Sequence, residues 1–220
     1  MTAIVSLTDL ANRYNSDKGD QYKCAHNYTK HYQTIFEEAK KKRGFALLEI
    51  GLNRDDTAEV PSLRMYQDFF GNKAKIYGMD IRPEFKKFNE EGFTIFIGDQ
   101  SKPKDLAELG KLSFNIIIDD GSHASSHQQI SLRELWKSVK PGGCYIIEDL
   151  HWQPFVEDCP SSRSLCEQWL DGKAGVSQFI DNEWSEHFLA ECQSLALLPS
   201  YSTLHPAHLT EKALFIAQKK

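Results

Sequence analysis

The sequence predicts an α/β fold built on a mostly parallel sheet that ends in an antiparallel C-terminal strand. Three observations carry this. Short apolar runs alternate with amphipathic helical stretches between Phe45 and Asp149; five of the runs close on a carboxylate; two more follow near the C-terminus across a short connection. The most informative unit lies mid-chain. Phe114-Asn115-Ile116-Ile117-Ile118 leads into Asp119-Asp120-Gly121-Ser122-His123, and Gly143-Cys144-Tyr145-Ile146-Ile147 leads into Glu148-Asp149. Between them Leu132, Leu135, Trp136 and Val139 recur at helical spacing, and Pro141-Gly142-Gly143 predicts the stop. Such a crossover makes the two strands parallel and, as neighbours, roughly 4.8 Å apart. Both acidic pairs then emerge together at the carboxyl edge, where open α/β sheets bind ligands.

Taken in order, residues 1–40 form an N-terminal helical cap and residues 41–220 the α/β domain. The cap holds a polar cluster, Tyr14-Asn15-Ser16-Asp17-Lys18-Gly19, then a helix with Tyr28, Tyr32, Ile35, Phe36 and Ala39 on one face. It either covers the sheet or brings Asp17, Lys18, His26 and Tyr28 over the carboxyl edge to close a pocket. Phe45 to Gly51 reads as the first strand and its turn. A helix follows from Pro61, with Leu63, Tyr66 and Phe70 inward and Gly71 as its stop. Lys75 to Asp80 and Phe93 to Asp99 are the second and third strands. Residues 150–195 mix Trp152, Phe155, Trp169, Trp184 and Phe188 with polar turns and predict one or two helices acting as a substrate lid. Leu195 to Thr203, a turn near Pro206, and Ala213 to Ala217 complete a sheet of seven strands.

The composition excludes several classes. A net charge of -5 and the absence of a basic stripe argue against nucleic acid and anionic membranes as partners. Lys40-Lys41-Lys42-Arg43 closes a helix C-terminus instead. The five cysteines, Cys24, Cys144, Cys159, Cys166 and Cys192, form no CxxC pair and are odd in number, so neither a zinc cluster nor a disulfide framework is expected. Met1 to Leu10 lacks the basic start of a signal peptide, and no run approaches the ~20 apolar residues of a membrane span. A cytoplasmic protein with reduced thiols is the expectation.

The acidic strand ends carry the chemistry. Carboxylates crowded at one edge repel one another unless a cation sits among them, and oxygen donors suit a hard divalent ion. Glu49-Ile50-Gly51 brings backbone close to a ligand at the following helix. Asp80, at the end of the next strand, is placed to accept hydrogen bonds from ribose hydroxyls, and Asp99 with Gln100 to meet an adenine edge. That layout suits an adenosyl ligand. Positions 53 and 55 are Asn53 and Asp55, not the glycines a dinucleotide site would use, so NAD is disfavoured.

A further set of motifs accompanies these: Asn15-Ser16-Asp17-Lys18-Gly19, His26-x-Tyr28, Leu48-Glu49-Ile50-Gly51, Gly98-Asp99-Gln100, Ile118-Asp119-Asp120-Gly121-Ser122-His123, His127-Gln128 and Gly142-Gly143-x-Tyr145-Ile146-Ile147-Glu148-Asp149-Leu150. Together they resemble the metal-dependent sugar O-methyltransferases of macrolide biosynthesis. These are S-adenosylmethionine-dependent class I methyltransferases, within a wider group that includes macrocin O-methyltransferase-like and cephalosporin hydroxylase-like proteins. The resemblance runs from about Tyr14 to Leu150 and implies a Rossmann-like class I methyltransferase fold. It makes Asp120, Glu148 and Asp149 ligands of Mg²⁺ and His123 the general base. It assigns Glu49, Gly51, Asn53, Asp80, Asp99 and Gln100 to S-adenosyl-L-methionine, with Asp119 near the methionine end. The turn Asn53-Arg54-Asp55-Asp56 departs from the usual small-residue pattern.

The implied chemistry is coherent. Methyl transfer from a sulfonium is an in-line displacement by a deprotonated oxygen, and a sugar hydroxyl is too weakly acidic to supply one at pH 7. Two neighbouring hydroxyls chelating Mg²⁺ become acidic enough for an adjacent imidazole to take the proton. The expected acceptor is a glycosylated or other diol-bearing small molecule, with Asp17, Lys18, Tyr28, His127 and Trp152 as candidate acceptor contacts. The N-terminal segment is long enough to reach a neighbouring subunit, which leaves a homo-oligomer open. Two other classes stay in view: a metal-dependent hydrolase using the same carboxylates, and a non-catalytic methyltransferase-like binding domain.

Overall fold

The computed structural model describes residues 5–201 and 211–220, apart from Cys24, Arg43, Arg54, Asp56, Asn72, Lys73, Gln153 and Val156. Among the described residues seven strands form one sheet: β1 (Ala46–Ile50), β2 (Lys75–Asp80), β3 (Thr94–Ile97), β4 (Phe114–Asp119), β5 (Val139–Ile147), β6 (Cys192–Leu198) and β7 (Leu214–Lys219). Their spatial order is β3-β2-β1-β4-β5-β7-β6. Strands β1 to β5 run parallel, while β7 is antiparallel to both β5 and β6. β1 lies between β2 and β4, so the chain order reverses there, and the crevice at that switch point is where ligands enter such sheets.

The central strands are buried on both faces, and alternate residues point to opposite layers. Leu47, Ile116, Ile118 and Ile146 face α1 (Leu7–Arg13), α2 (Thr29–Lys40) and α3 (Pro61–Phe70), which contribute Leu10, Tyr32, Phe36, Leu63 and Tyr66 to one core. Leu48, Ile117, Tyr145 and Ile147 face α5 (Ser125–Leu135), α6 (Ser162–Leu170) and α7 (Asn182–Glu191), which contribute Leu132, Leu135, Leu165, Trp169 and Phe188 to the other. A one-turn helix, α4 (Pro103–Leu106), follows β3. The N-terminal cap is therefore part of one core layer. Within 150–195, the stretch expected to carry a lid, α6 and α7 are likewise core elements, while Trp152, Phe155 and Glu157 lie beside His123, His127 and the start of α5.

Three local departures have physical reasons. The helix after Asp120 ends at Leu135, and Val139 begins β5 by pairing with Phe114. The ladder then breaks before Ile116↔Cys144, with Gly142 at φ 68 and Gly143 pressed on the Asn115 carbonyl. Pro141-Gly142-Gly143 thus marks an irregularity inside a strand. The third strand stops at Ile97, leaving Asp99 in the following turn. Helix α1 is too short for periodicity to predict, yet its start is marked in the sequence: Ser6 and Asp9 form a reciprocal capping box.

The turn near Pro206 lies outside the described residues, and β6 ends at Leu198. Cys144, Cys159, Cys166 and Cys192 are free thiols, while Cys24 is outside the described set. No helix among the described residues is long and apolar enough to cross a membrane.

Register places the carboxylates. Asp119 pairs with Ile50 on one side and Ile147 on the other, and the Glu148 amide donates to the Asp119 carbonyl at 3.0 Å. Gly51 sits at φ 81, where a Cβ would overlap the Asp120 carbonyl oxygen. Left-handed backbone plus this overlap should make Gly51→Ala cost about 2–4 kcal/mol. We expect thermal denaturation to show a midpoint lower by roughly 5–15 °C; an unchanged midpoint would mean that the two loops separate without cost.

Candidate active site

A cavity of about 510 Å³ opens at the carboxyl edge. Asn15 to Lys18 wall one side; the turns after β1, β2 and β3 supply Gly51 to Asn53, Asp80 to Arg82 and Gly98 to Gln100; the far end holds Asp120 to His123, His127 and Asp149. At that far end, donor atoms of Asp120, His123 and Asp149 all lie within 4.8 Å of one another. Metal–oxygen distances of about 2.0–2.1 Å bring ligands to within about 4 Å of each other. The Asp120 and Asp149 oxygens thus fit a divalent ion with small side-chain adjustments, with the His123 imidazole beside it.

The carboxylates behind this end are tied to buried donors. Glu148 accepts from the Tyr32 hydroxyl at 2.6 Å and from Lys18 Nζ at 2.9 Å. Asp149 accepts from the Tyr28 hydroxyl at 2.7 Å. Asp120 accepts from Lys18 Nζ at 2.5 Å, and Glu49 lies 3.4 Å from the same ammonium. A carboxylate oxygen has two lone pairs, so these bonds leave Glu148 capacity for a further contact. Burial, reinforced by Asp120, pushes the Glu148 carboxyl well above its ordinary range. Burial also opposes ionisation of Asp149, but His26, His123 and the Tyr28 hydroxyl outweigh it and hold that carboxyl at about 2. Lys18 is destabilised by burial, yet Asp120, Glu148 and Glu49 raise it well above a free lysine and keep it charged.

His123 and Asp149 are both in the left-handed region, at φ 59 and φ 54. Non-glycine residues are seldom held there unless their surroundings over-determine them, which is common at functional sites. His123 Nε2 is 3.7 Å from Asp149 Oδ2, and Trp152 packs edge-on to the imidazole with ring centroids 5.5 Å apart. His127 Nδ1 pairs with the Ser122 hydroxyl at 2.7 Å, and Phe155 lies edge-on to its ring. Trp152 and Phe155, packed on these two histidines, are each 53% exposed.

The residues expected on the cofactor side divide into two groups. Gly51, Asn53, Asp80, Asp99 and Gln100 line the cavity. Asp80 accepts the backbone amides of Leu52 at 3.0 Å and Arg82 at 2.9 Å, which fixes its carboxylate between two turns. Asp99 is bonded by Ser101 and Lys102, which hold it at about 2. The Gln100 amide is turned inward as a strut: it donates to Asp119 at 3.0 Å and Ser131 at 3.1 Å and accepts from the Ser122 amide at 2.8 Å.

Glu49 and Asp119 are fully buried and have no face on the cavity. Glu49 is bonded by Ser62 and by Tyr66 at 3.0 Å, and burial pushes it up to about 7. Asp119 is pushed up to about 6 by burial, against the bond from Gln100.

Reading the sequence alone missed two features. Arg82, whose guanidinium donates to the Asn53 and Asp55 carbonyls, clamps the turn after β1; no one-dimensional signal links those positions. His26, Asp149 and His151 form a second group of donor atoms within 4.8 Å on the side of Asp149 away from His123. The spacing of Asp149 and His151 hinted at it.

No protein-family model matches the chain. It is 36% identical over 165 residues to demethylmacrocin O-methyltransferase of Streptomyces fradiae, across 72% of this chain and 40% of that protein. It is 32% identical over 180 residues to 8-demethyl-8-alpha-L-rhamnosyl tetracenomycin-C 2'-O-methyltransferase of Streptomyces olivaceus, across 77% of this chain and 46% of that protein. The chain spans less than half the length of these curated relatives. Among solved structures, the MycE methyltransferase from the mycinamycin biosynthetic pathway, in complex with Mg and SAH, matches with a TM-score of 0.73 at 25% identity, over 97% of this chain and 54% of that one. The O-methyltransferase from Bacillus cereus in complex with SAH matches over 100% of this chain and 93% of that one, with a TM-score of 0.54 at 10% identity, a likeness of fold. The sheet order and these matches identify the fold as that of the class I methyltransferases.

Proposed function

Since this chain is a homologue of the macrolide and tetracenomycin sugar O-methyltransferases and shares the class I methyltransferase fold, we propose that it O-methylates a sugar or similar vicinal diol, using S-adenosyl-L-methionine and Mg²⁺. One observation carries the reading most directly: a single cavity joins Asp80 at one end to Asp120, His123 and Asp149 at the other. When bound, the cofactor supplies an electrophilic methyl group and the metal acidifies a chelated hydroxyl.

The chain's own residues do the rest. Asp80, fixed by two backbone amides, accepts the ribose hydroxyls, while the turns through Gly51 to Asn53 and Gly98 to Gln100 shape the adenosine end. Asp120 and Asp149, which line the cavity, would hold the metal, and Glu148, bonded to Tyr32 and Lys18 and without a face on the cavity, would join them through a side-chain shift. His123 would take the acceptor hydroxyl's proton, and Trp152 packed on its edge limits water there. Asp17, Lys18, Tyr28 and His127 stand nearest the acceptor end; of these, Tyr28 acts through Asp149 and Lys18 through Asp120 and Glu148. The acceptor is a glycosylated natural product of the kind its relatives methylate.

The test is a mass-spectrometric assay with S-adenosyl-L-methionine, Mg²⁺ and a panel of desmethyl glycosylated macrolides and tetracenomycins, with chelator controls. We expect gain of one methyl group, equimolar S-adenosylhomocysteine, and loss of both with chelator. Calorimetry that finds Mg²⁺ binding but no binding of S-adenosylhomocysteine would instead favour a hydrolase.

A further inference from the structure

Lys18 is the one lysine among the described residues whose side chain is buried, at 1% exposure, and its ammonium faces three carboxylates. Its partners come from three adjacent strands: Glu49 within β1, Asp120 just past β4 and Glu148 just past β5. The loop that delivers it is itself anchored. The His26 amide donates to the Asp17 carbonyl at 2.7 Å, Asn27 to Gly19 at 2.8 Å and Thr29 to Lys18 at 3.0 Å.

A buried ammonium among carboxylates is a poor source of net stability, because desolvation offsets much of the attraction, although removing the cation alone leaves uncompensated buried carboxylates. Its effect is on the charge and position of its partners. Lys18 draws Asp120 Oδ2 and Glu148 Oε2 inward, whereas Asp149 is bonded by Tyr28 and turns its other oxygen towards His123.

We propose that Lys18 is a positioning residue: a resident cation that fills the inner side of the carboxylate cluster and so restricts the site to one divalent ion, held on the cavity side. The inference rests on the divalent-metal part of the proposed function. It assigns Lys18 a role towards the metal instead of the acceptor. Without the ammonium, Glu49, Asp120 and Glu148 would surround a vacated position with oxygen donors alone, which is the chemistry of a second hard-cation site.

The test is calorimetric titration of Mn²⁺ into the metal-stripped full chain, comparing wild type, Lys18→Arg and Lys18→Met. We expect one ion per chain for wild type and Lys18→Arg, and two for Lys18→Met. A Lys18→Met protein that binds one ion only, at any affinity, would show Lys18 to be a structural pin and overturn the proposal. Should Lys18→Met fail to fold, Lys18→Met/Glu49→Gln removes cation and anion together. Recovery of a folded, single-ion protein supports charge compensation, and failure of that variant to fold in Mn²⁺ overturns it. A wild-type chain that binds no divalent ion fails at an earlier point, and sinks the metal-dependent reading along with the Lys18 assignment.

Discussion

Replacing Asp120 by asparagine is expected to lower methyl transfer by about 10³-fold or more, because a metal ligand that stabilises developing charge contributes several kcal/mol. The carboxylate faces two ways, towards Lys18 at 2.5 Å and into the cavity beside His123 and Asp149. The substitution therefore weakens metal binding directly and also unpairs part of the Lys18 ammonium. Two calorimetric titrations separate these effects from general damage. S-adenosylhomocysteine binding should persist within a few-fold, since Asp80 lies at the other end of the cavity, while the Mg²⁺ heat should disappear. Loss of cofactor binding together with metal binding would mean that the two ends do not act independently and would undercut the assignment of Asp120.

Much of this arrangement was legible in the sequence, because period-2 burial and strand-end carboxylates are local patterns. Phe114 to Asp120 and Cys144 to Asp149 read as parallel neighbours, and their register brings Asp120 level with Glu148. The class I methyltransferase fold, with its antiparallel last strand, followed from the same patterns together with the motifs. The directions of side chains were not legible. Gln100 reads as a cofactor contact by position, yet all of its described bonds run inward to Asp119, Ser131 and Ser122. Glu49 ends its run as the other carboxylates do, but it lies one residue before the strand terminus and is enclosed by Ser62, Tyr66 and Lys18. A one-residue offset in a strand reverses the face, and no pattern of acidic residues alone reveals which side of the offset is functional. Val139 shows the same limit in another form. Helical spacing placed it on the helix, but pairing with Phe114 put it on the sheet.

His123→Asn is the second large effect expected. Asparagine tolerates the left-handed conformation that His123 adopts at φ 59, so it removes the imidazole with little backbone cost, which alanine would not do. Turnover should fall by about 10²–10⁴-fold, the usual contribution of a positioned general base. Mg²⁺ and S-adenosylhomocysteine should bind within a few-fold of wild type. The control is His127→Ala, because His127 also lines the cavity but is engaged with the Ser122 hydroxyl at 2.7 Å. A base role for His123 requires the two variants to differ sharply, with His127→Ala raising KM more than it lowers kcat. Equal losses in kcat would leave the proton with neither histidine in particular. The general base would then have to be sought among the metal-side carboxylates. Of those, Asp149 is held at about 2 and is too weak a base for a hydroxyl near neutrality. Asp120, which lines the cavity and whose carboxyl burial raises, would be the remaining candidate, because Glu148 has no face on the cavity.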